Sequence, residues 1–305
     1  MKYINIFSKH VAVSNVALGC MRIDNMNLSD CSRYINTAVD CGYNFFDHAD
    51  IYGGGRCEEI FGAVLKNEKG LRDKMYIQTK CGIRQGMYDF SYEYIIKSVD
   101  DSLSRLCPDS IDVLVLHRPD LLMDACEVAR AFDELYRSGK VGAFGVSNQN
   151  PMQIELLQGC VDQKLCINQL QLSITNASMI SSGASVNTAF SDAVVRDGYV
   201  RDYCRLHDIT VQPWSPLQYG FFEGTFLNND KFPKLNSVIK ELSEKYSISD
   251  TGIAIAWLLR LPEKMQPIVG TTNLSRIKEI ACASDVELSR EDWYEVYRAA
   301  GHSLP

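Results

Sequence analysis

Apolar residues fall in two alternating kinds of segment along this chain. Short runs rich in β-branched and aromatic residues read as strands. They are Val16-Ala17-Leu18-Gly19-Cys20, Asn44-Phe45-Phe46-Asp47, 75–80, 111–117, 141–147, 166–172, 209–214 and Pro267-Ile268-Val269-Gly270. Each is too short to be a helix. Between them, apolar positions recur at helical spacing. The first such helix is 28–41, with Ser29-Asp30 as its cap and Gly42 as its stop. A second, 91–106, sets Tyr94, Ile95, Val99, Ser102, Leu103 and Leu106 on one face and ends at Pro108. Others are 123–138, closed by Gly139, one opened by Asn150-Pro151, then 192–207 and 251–261.

Strands alternating with helices imply βαβ units and a parallel sheet. Eight such units, with no break in composition at the midpoint, predict one (β/α)8 barrel, an α/β TIM barrel spanning residues 1–305 as a single domain. A doubly wound sheet is the alternative. Val11-Ala12-Val13-Ser14-Asn15 predicts an N-terminal β-hairpin, turning at Ser14-Asn15 and capping the barrel bottom. The Ser-, Asn- and Gly-rich stretch from Thr175 to Asp192 follows the sixth strand, so it is expected at the mouth as a functional loop.

Composition narrows the class. The chain is 46% hydrophobic and 23% charged, which excludes disorder as its main state. It holds no apolar run of membrane-spanning length, and Met1-Lys2-Tyr3-Ile4-Asn5 is not the start of a signal peptide. A net charge of −7 argues against a nucleic-acid partner. The 11 cysteines, Cys107 among them, are scattered with no C-x-x-C pair. They read as free thiols of a reducing, cytoplasmic setting.

In a barrel of this kind, functional groups sit where strands end at the C-terminal face. Strand two ends at Asp47, strand three at Lys80, strand four at His117 and strand five at Ser147-Asn148. One polar strand end is ordinary; four in succession are not. Asp47 and Lys80 are expected side by side, since a buried lysine needs a partner. Tyr52, followed by Gly53-Gly54-Gly55, is expected over the mouth, the glycines letting the backbone pass close to a bound molecule. The Lys80 ammonium is expected to lower the Tyr52 pKa, and His117 to orient a carbonyl. That set suits carbonyl reduction, in which an alkoxide-like oxygen must be protonated. No G-x-G-x-x-G follows a strand: Gly139, Gly142 and Gly145 are wrongly spaced. The alternative phosphate site of barrels lies after strand eight, where Gly270-Thr271-Thr272-Asn273-Leu274-Ser275-Arg276 reads as an anion cradle. Trp214, ending strand seven, offers a flat face to a ring.

Over almost its whole length the chain resembles the aldo/keto reductase family. The motifs are Gly42-Tyr43-Asn44-Phe45-Phe46-Asp47 with His48-Ala49-Asp50-Ile51-Tyr52-Gly53, then Lys80, Leu116-His117-Arg118-Pro119, and Gly139-Lys140-Val141-Gly142-Ala143-Phe144-Gly145-Val146-Ser147-Asn148. They continue with Asn168-Gln169, Trp214-Ser215-Pro216-Leu217, and Gly270-Thr271-Thr272-Asn273 with Arg276. The segments Gly220-Phe221-Phe222-Glu223-Gly224 and Lys231-Phe232-Pro233-Lys234-Leu235-Asn236 are similar to a bacterial oxidoreductase branch of the family.

The resemblance implies that Tyr52 is the general acid, that Lys80 paired with Asp47 tunes it, and that His117 orients the substrate carbonyl. It implies that Ser147, Asn148 and Gln169 hold a nicotinamide carboxamide, with Trp214 where relatives stack a tyrosine or phenylalanine. Ser215, Leu217, Gly270, Thr271, Thr272, Asn273 and Arg276 would then line the cofactor phosphates, and Glu279 the adenine. The implied cofactor is NADPH. Asn273 stands where many relatives have lysine and Ile280 where many have asparagine, so NADH is the alternative. The implied substrate is a small-molecule aldehyde or ketone, its pocket shaped by 175–192 and 218–232. Two other readings compete: a non-catalytic nucleotide-sensing subunit on the same barrel, and a lyase using Lys80 as a Schiff-base nucleophile.

Overall fold

The structure, a computed structural model, describes residues 1–7, 11–106 and 109–304. Pro108 and Cys107 lie outside the described residues. All eight expected runs form strands: β1 (Ala17–Gly19), β2 (Phe45–Asp47), β3 (Tyr76–Cys81), β4 (Ile111–Leu116), β5 (Val141–Ser147), β6 (Leu165–Gln171), β7 (Thr210–Trp214) and β8 (Ile268–Val269). Each pairs in parallel with its sequence neighbour, and β8 pairs with β1. The ring closes between β7 and β8 through a parallel bridge from Val211 to Met265, with Val211 N–H donating to the Lys264 carbonyl at 2.9 Å. The doubly wound alternative is thereby excluded.

Side chains alternate along a strand, so every second residue enters the barrel. The lower interior is apolar, made by Ala17, Phe45, Val113, Val115, Ile167 and Ile268. Two residues further along these strands, or on their neighbours, the same inward positions carry Asp47, Lys80, His117 and Gln169. One period therefore builds both the core and the site above it.

The helices wrap this ring: α1 (Leu28–Asp40), α2 (Arg56–Asn67), α3 (Tyr92–Leu106), α4 (Ala125–Arg137), α5 (Pro151–Gln158), α6 (Ser178–Ala184), α7 (Val200–Leu206), α8 (Pro233–Tyr246), α9 (Asp250–Leu259), α10 (Leu274–Ala283) and α11 (Arg290–Ala299). Several differ from expectation. The cap of α1 is Asn27, whose side chain accepts from Asp30 N–H, rather than Ser29-Asp30. The helix expected over 192–207 is only α7, because Gly198 and the left-handed Tyr199 (φ 62°) interrupt it. Helix α2 lies directly after the glycines and carries a charged residue, Glu58, among its buried positions.

The N-terminal hairpin does cap the barrel bottom. Its strands are Tyr3–Asn5 and Ala12–Ser14, paired antiparallel. The turn is therefore not Ser14-Asn15, which instead leads into β1. Asn15 N–H donates to the Lys2 carbonyl at 2.9 Å and its side-chain amide to the Ser284 carbonyl at 3.0 Å.

Candidate active site

Asp47 ends β2 and Lys80 lies one residue from the end of β3, so the pairing of those strands sets the two side chains together. Lys80 is fully buried. Its Nζ lies 2.8 Å from Asp47 Oδ1 and 2.9 Å from Oδ2, and donates to the His48 carbonyl at 2.6 Å. It also donates to the Tyr52 hydroxyl at 3.1 Å. Burial alone would push the lysine pKa down, but Asp47 and then Tyr52 more than offset this, and it is raised above its ordinary value. A protonated, buried and ion-paired amine is a poor nucleophile, which argues against Schiff-base chemistry at Lys80.

Tyr52 is half-buried in a short 3-10 turn, Tyr52–Gly55. The three glycines there have φ of 57°, 63° and 94°. A Cβ on Gly53 would fall 2.7 Å from the Asp24 Cβ. Turn geometry and close packing, not a bound molecule, explain them: none of the three lines the cavity beside Tyr52. Lys80 acts on Tyr52 in the expected direction, lowering its pKa by charge and by hydrogen bond. Burial raises its pKa more than Lys80 lowers it, and the net shift is upward. His117, directly after β4, meets the Tyr52 ring edge-on with centroids 6.1 Å apart. Burial first, then Lys80 and Arg118, push its pKa well below the ordinary value, so the imidazole is neutral. Its Nδ1 is buried with no partner among the described residues.

Below these groups runs a chain of buried amides, of which the sequence reading singled out only Gln169. Gln78 Nε2 donates to Asp47 Oδ1 at 2.6 Å and to Gln212 Oε1 at 2.9 Å. Gln169 Nε2 donates to the same two atoms, each at 3.1 Å. Gln212 Nε2 returns a bond to Gln78 Oε1 at 3.1 Å and passes one to Gln266 Oε1 at 2.7 Å. Gln266 Nε2 ends the chain on the Ser14 carbonyl at 2.7 Å. Strand alternation is the signal that could have found them: Gln78 precedes Lys80 by two, and Gln212 precedes Trp214 by two. Glu58 was missed as well. It accepts from Thr79 Oγ1 at 2.5 Å and pairs with Arg105 at 2.8 Å, tying α2 and α3 to β3 next to Lys80.

A cavity of about 330 Å³ opens above the tetrad. Its walls include Asp47, Tyr52, His117, Ser147, Asn148, Gln169, Trp214, Ser215, Leu217, Gly270, Thr271 and Arg276. Thr272, Asn273 and Glu279 do not line it. Asn273 is the cap of α10, its side chain accepting from Ser275 and Arg276 N–H, and Glu279 accepts from Ser275 Oγ at 3.1 Å. The loop 175–192 also contributes no wall residue. The Ser173 hydroxyl just before it donates to the Gln218 carbonyl at 2.7 Å, so this region buttresses the hairpin of Gln218–Tyr219 and Gly224–Thr225 from behind. From that side of the expected pocket, Gln218, Phe222 and Thr225 are wall residues.

The residues present fit a nicotinamide. The Gln169 nitrogen is spent on Asp47 and Gln212, which leaves its oxygen for a carboxamide. The half-buried Trp214 is steered by its indole N–H, which donates to Asn148 Oδ1 at 3.2 Å. Asn148 and Ser215, which follow β5 and β7, both hold left-handed backbone, φ 56° and 51°. Strain of this kind concentrates where side chains must be aimed.

Residues 15–300 match the Aldo/keto reductase family. The chain belongs to the aldo/keto reductases. Members of this family are nicotinamide-dependent oxidoreductases that act on carbonyl compounds, and this protein is such an enzyme. Oxidoreductase YdhF of Escherichia coli is 34% identical over 96% of this chain and 95% of its own. A 6-dehydroglucose reductase of Agrobacterium fabrum is 35% identical over 96% of each. Among solved structures, the thermostable aldo-keto reductase Tm1743 matches in fold with a TM-score of 0.79 at 22% identity, covering 98% of this chain and 100% of that one. Among the described residues no helix of this reductase is long and apolar enough to cross a membrane.

Proposed function

We propose that this protein reduces an aldehyde or ketone to an alcohol using NADPH, with Tyr52 as the proton donor. One observation carries the reading: the Tyr52 hydroxyl stands 3.1 Å from a lysine locked to Asp47, beside an imidazole that is neutral. A neutral His117 has no acidic proton to give at pH 7, so it serves by donating a hydrogen bond to the carbonyl oxygen. That leaves Tyr52 as the acid. Its raised pKa does not impede this. A nascent alkoxide is about as basic as hydroxide and far more basic than a phenolate, so transfer from a phenol is downhill. Lys80 stabilises the phenolate left behind, and Asp47 keeps Lys80 charged. When bound, a reduced nicotinamide supplies the hydride. Ser147, Asn148 and Gln169 hold its carboxamide, and Trp214 lies against the ring. Ser215, Leu217, Gly270 and Thr271 line the path to the phosphates, and Arg276, exposed and without an ion pair among the described residues, reads the 2′-phosphate.

The test is NADPH oxidation over a panel of carbonyl compounds. Tyr52→Phe is expected to cut kcat/KM by roughly 10²–10⁴, the scale of acid catalysis, while nucleotide binding persists. Turnover by Tyr52→Phe equal to the parent enzyme would sink the assignment. Nucleotide binding without turnover on any carbonyl would favour the sensing-subunit reading instead.

A further inference from the structure

The cavity wall carries more positive charge than cofactor binding uses. Arg22, Arg118 and Arg276 line it, and Asp47 is the one acid among its described residues. Asp47 is already matched by Lys80. In a chain of net charge −7, this is a local reversal of sign. Arg276 stands at the phosphate end. Arg118 cannot serve there. It follows β4, which is four steps from β8 either way around the eight-stranded ring, directly across the mouth.

Arg118 is half-buried, yet its guanidinium makes no hydrogen bond or ion pair with any described residue. Its recorded contact is with the Trp214 ring, 5.5 Å from guanidinium carbon to ring centroid. An arginine cannot shed its charge, so partial burial without an anion is unfavourable until one arrives. Stacking on an indole holds the planar fork while leaving its N–H edge free. Trp214 is itself steadied, by Asn148 and by Phe222 stacked at 5.9 Å between centroids. The fork is therefore presented by a supported surface. By chain adjacency it stands beside His117, the residue that meets the carbonyl oxygen.

We infer that Arg118 selects the substrate by binding a carboxylate carried a few bonds from the reducible carbonyl. The substrate class is the short oxo acids. The inference rests on the carbonyl-reductase reading, and the reaction is unchanged by it: carbonyl, hydride and proton give the alcohol, with the carboxylate a spectator. A carboxylate fits a guanidinium by two parallel hydrogen bonds, which a neutral ester cannot reproduce.

Succinic semialdehyde, its methyl ester and glyceraldehyde are compared as substrates at saturating NADPH, with the parent enzyme, Arg118→Lys and Arg118→Met. The parent is expected to prefer the acid over the ester by about 10- to 100-fold in kcat/KM, the range of a charge-assisted pair. That ratio falls to about one in Arg118→Met and is partly restored in Arg118→Lys. Because it is a ratio within one preparation, a poorly folded variant does not distort it. A parent ratio near one, a ratio that survives in Arg118→Met, or glyceraldehyde as the best of the three overturns the inference. In parallel, succinate and succinamide are titrated onto the binary complex with NADP⁺, reading tryptophan fluorescence. Succinate binding lost in Arg118→Met, with none of the three aldehydes nor any other carbonyl of the panel reduced by the parent, keeps the anion site and fells the reductase reading. Reduction of succinic semialdehyde and its methyl ester without preference does the reverse.

Discussion

Asp47→Asn tests the electrostatic logic of the site most directly. The pair it breaks has no solvent to screen it: Lys80 is 0% exposed and Asp47 2%. At 2.8 Å, and an effective dielectric of about 20, the attraction is about 6 kcal/mol before desolvation is charged against it. The substitution keeps an oxygen for Gln78 and Gln169 but sets an amide donor against the Lys80 ammonium. Breaking a buried pair in this way costs about 3–5 kcal/mol, a large share of the roughly 5–15 kcal/mol that holds a domain folded. The pH dependence is specific. In the parent, the folded pKa of Lys80 is raised. Its contribution is therefore complete below the unfolded value of about 10.4 and fades only as pH rises through the folded one. In the variant, burial is opposed only by the weaker effect of Tyr52, and the lysine pKa drops. The folded variant sheds the proton as pH rises, and the penalty shrinks. Urea denaturation followed by circular dichroism at pH 7 and near pH 10 should show a loss of about 3–5 kcal/mol that narrows at the higher pH. A loss under about 1 kcal/mol, or one equal at both pH values, would refute the reasoning.

His48 is buried with both ring nitrogens unpartnered among the described residues, and burial followed by Lys80 lowers its pKa to about 3. The unfolded chain takes up a proton below about pH 6.5 and the fold does not, so stability falls with pH, by about 3 kcal/mol at pH 4. His48→Phe, packed against Phe61, should flatten that acid limb in denaturation curves. Gln212→Leu strips partners from Gln78, Gln169 and Gln266 at once, and should cost at least about 2 kcal/mol in unfolding free energy. Arg276→Ala should lower the preference for NADPH over NADH by about tenfold or more in fluorescence titrations. An unchanged preference would remove Arg276 as the 2′-phosphate reader. Because Tyr52 titrates high, reduction should hold its rate from pH 7 to 9, whereas a histidine acid would lose it across that range.

The eight strands were legible because each buried run is short, apolar and bounded by turn residues. Asp47, Lys80 and His117 were legible because polar residues end consecutive strands, and Tyr52 because it precedes three glycines just beyond the second. Helix limits were less so. The loss of most of 192–207 turns on a left-handed Tyr199, which no periodicity reports. The hairpin was placed correctly but its turn was not, since Ser14-Asn15 carries turn chemistry whether it closes a hairpin or enters the barrel.

By itself, the order of apolar and polar positions determined the barrel and the strand ends near which Asp47, Lys80 and His117 lie, with Tyr52 just beyond the second; the family was read from the resemblance of its motifs. These are properties of period and neighbourhood, which a linear chain records. Only the tertiary structure decided what those residues experience. Burial reverses the net shift at Tyr52 and holds His117 neutral. Four glutamines separated by up to 188 positions join into one relay beneath Asp47. Arg118, an ordinary arginine in the sequence, is left without an anion among the described residues, across the mouth from Arg276. Solvent exclusion and contacts between distant strands set electrostatic free energies, and neither exists until the ring has closed.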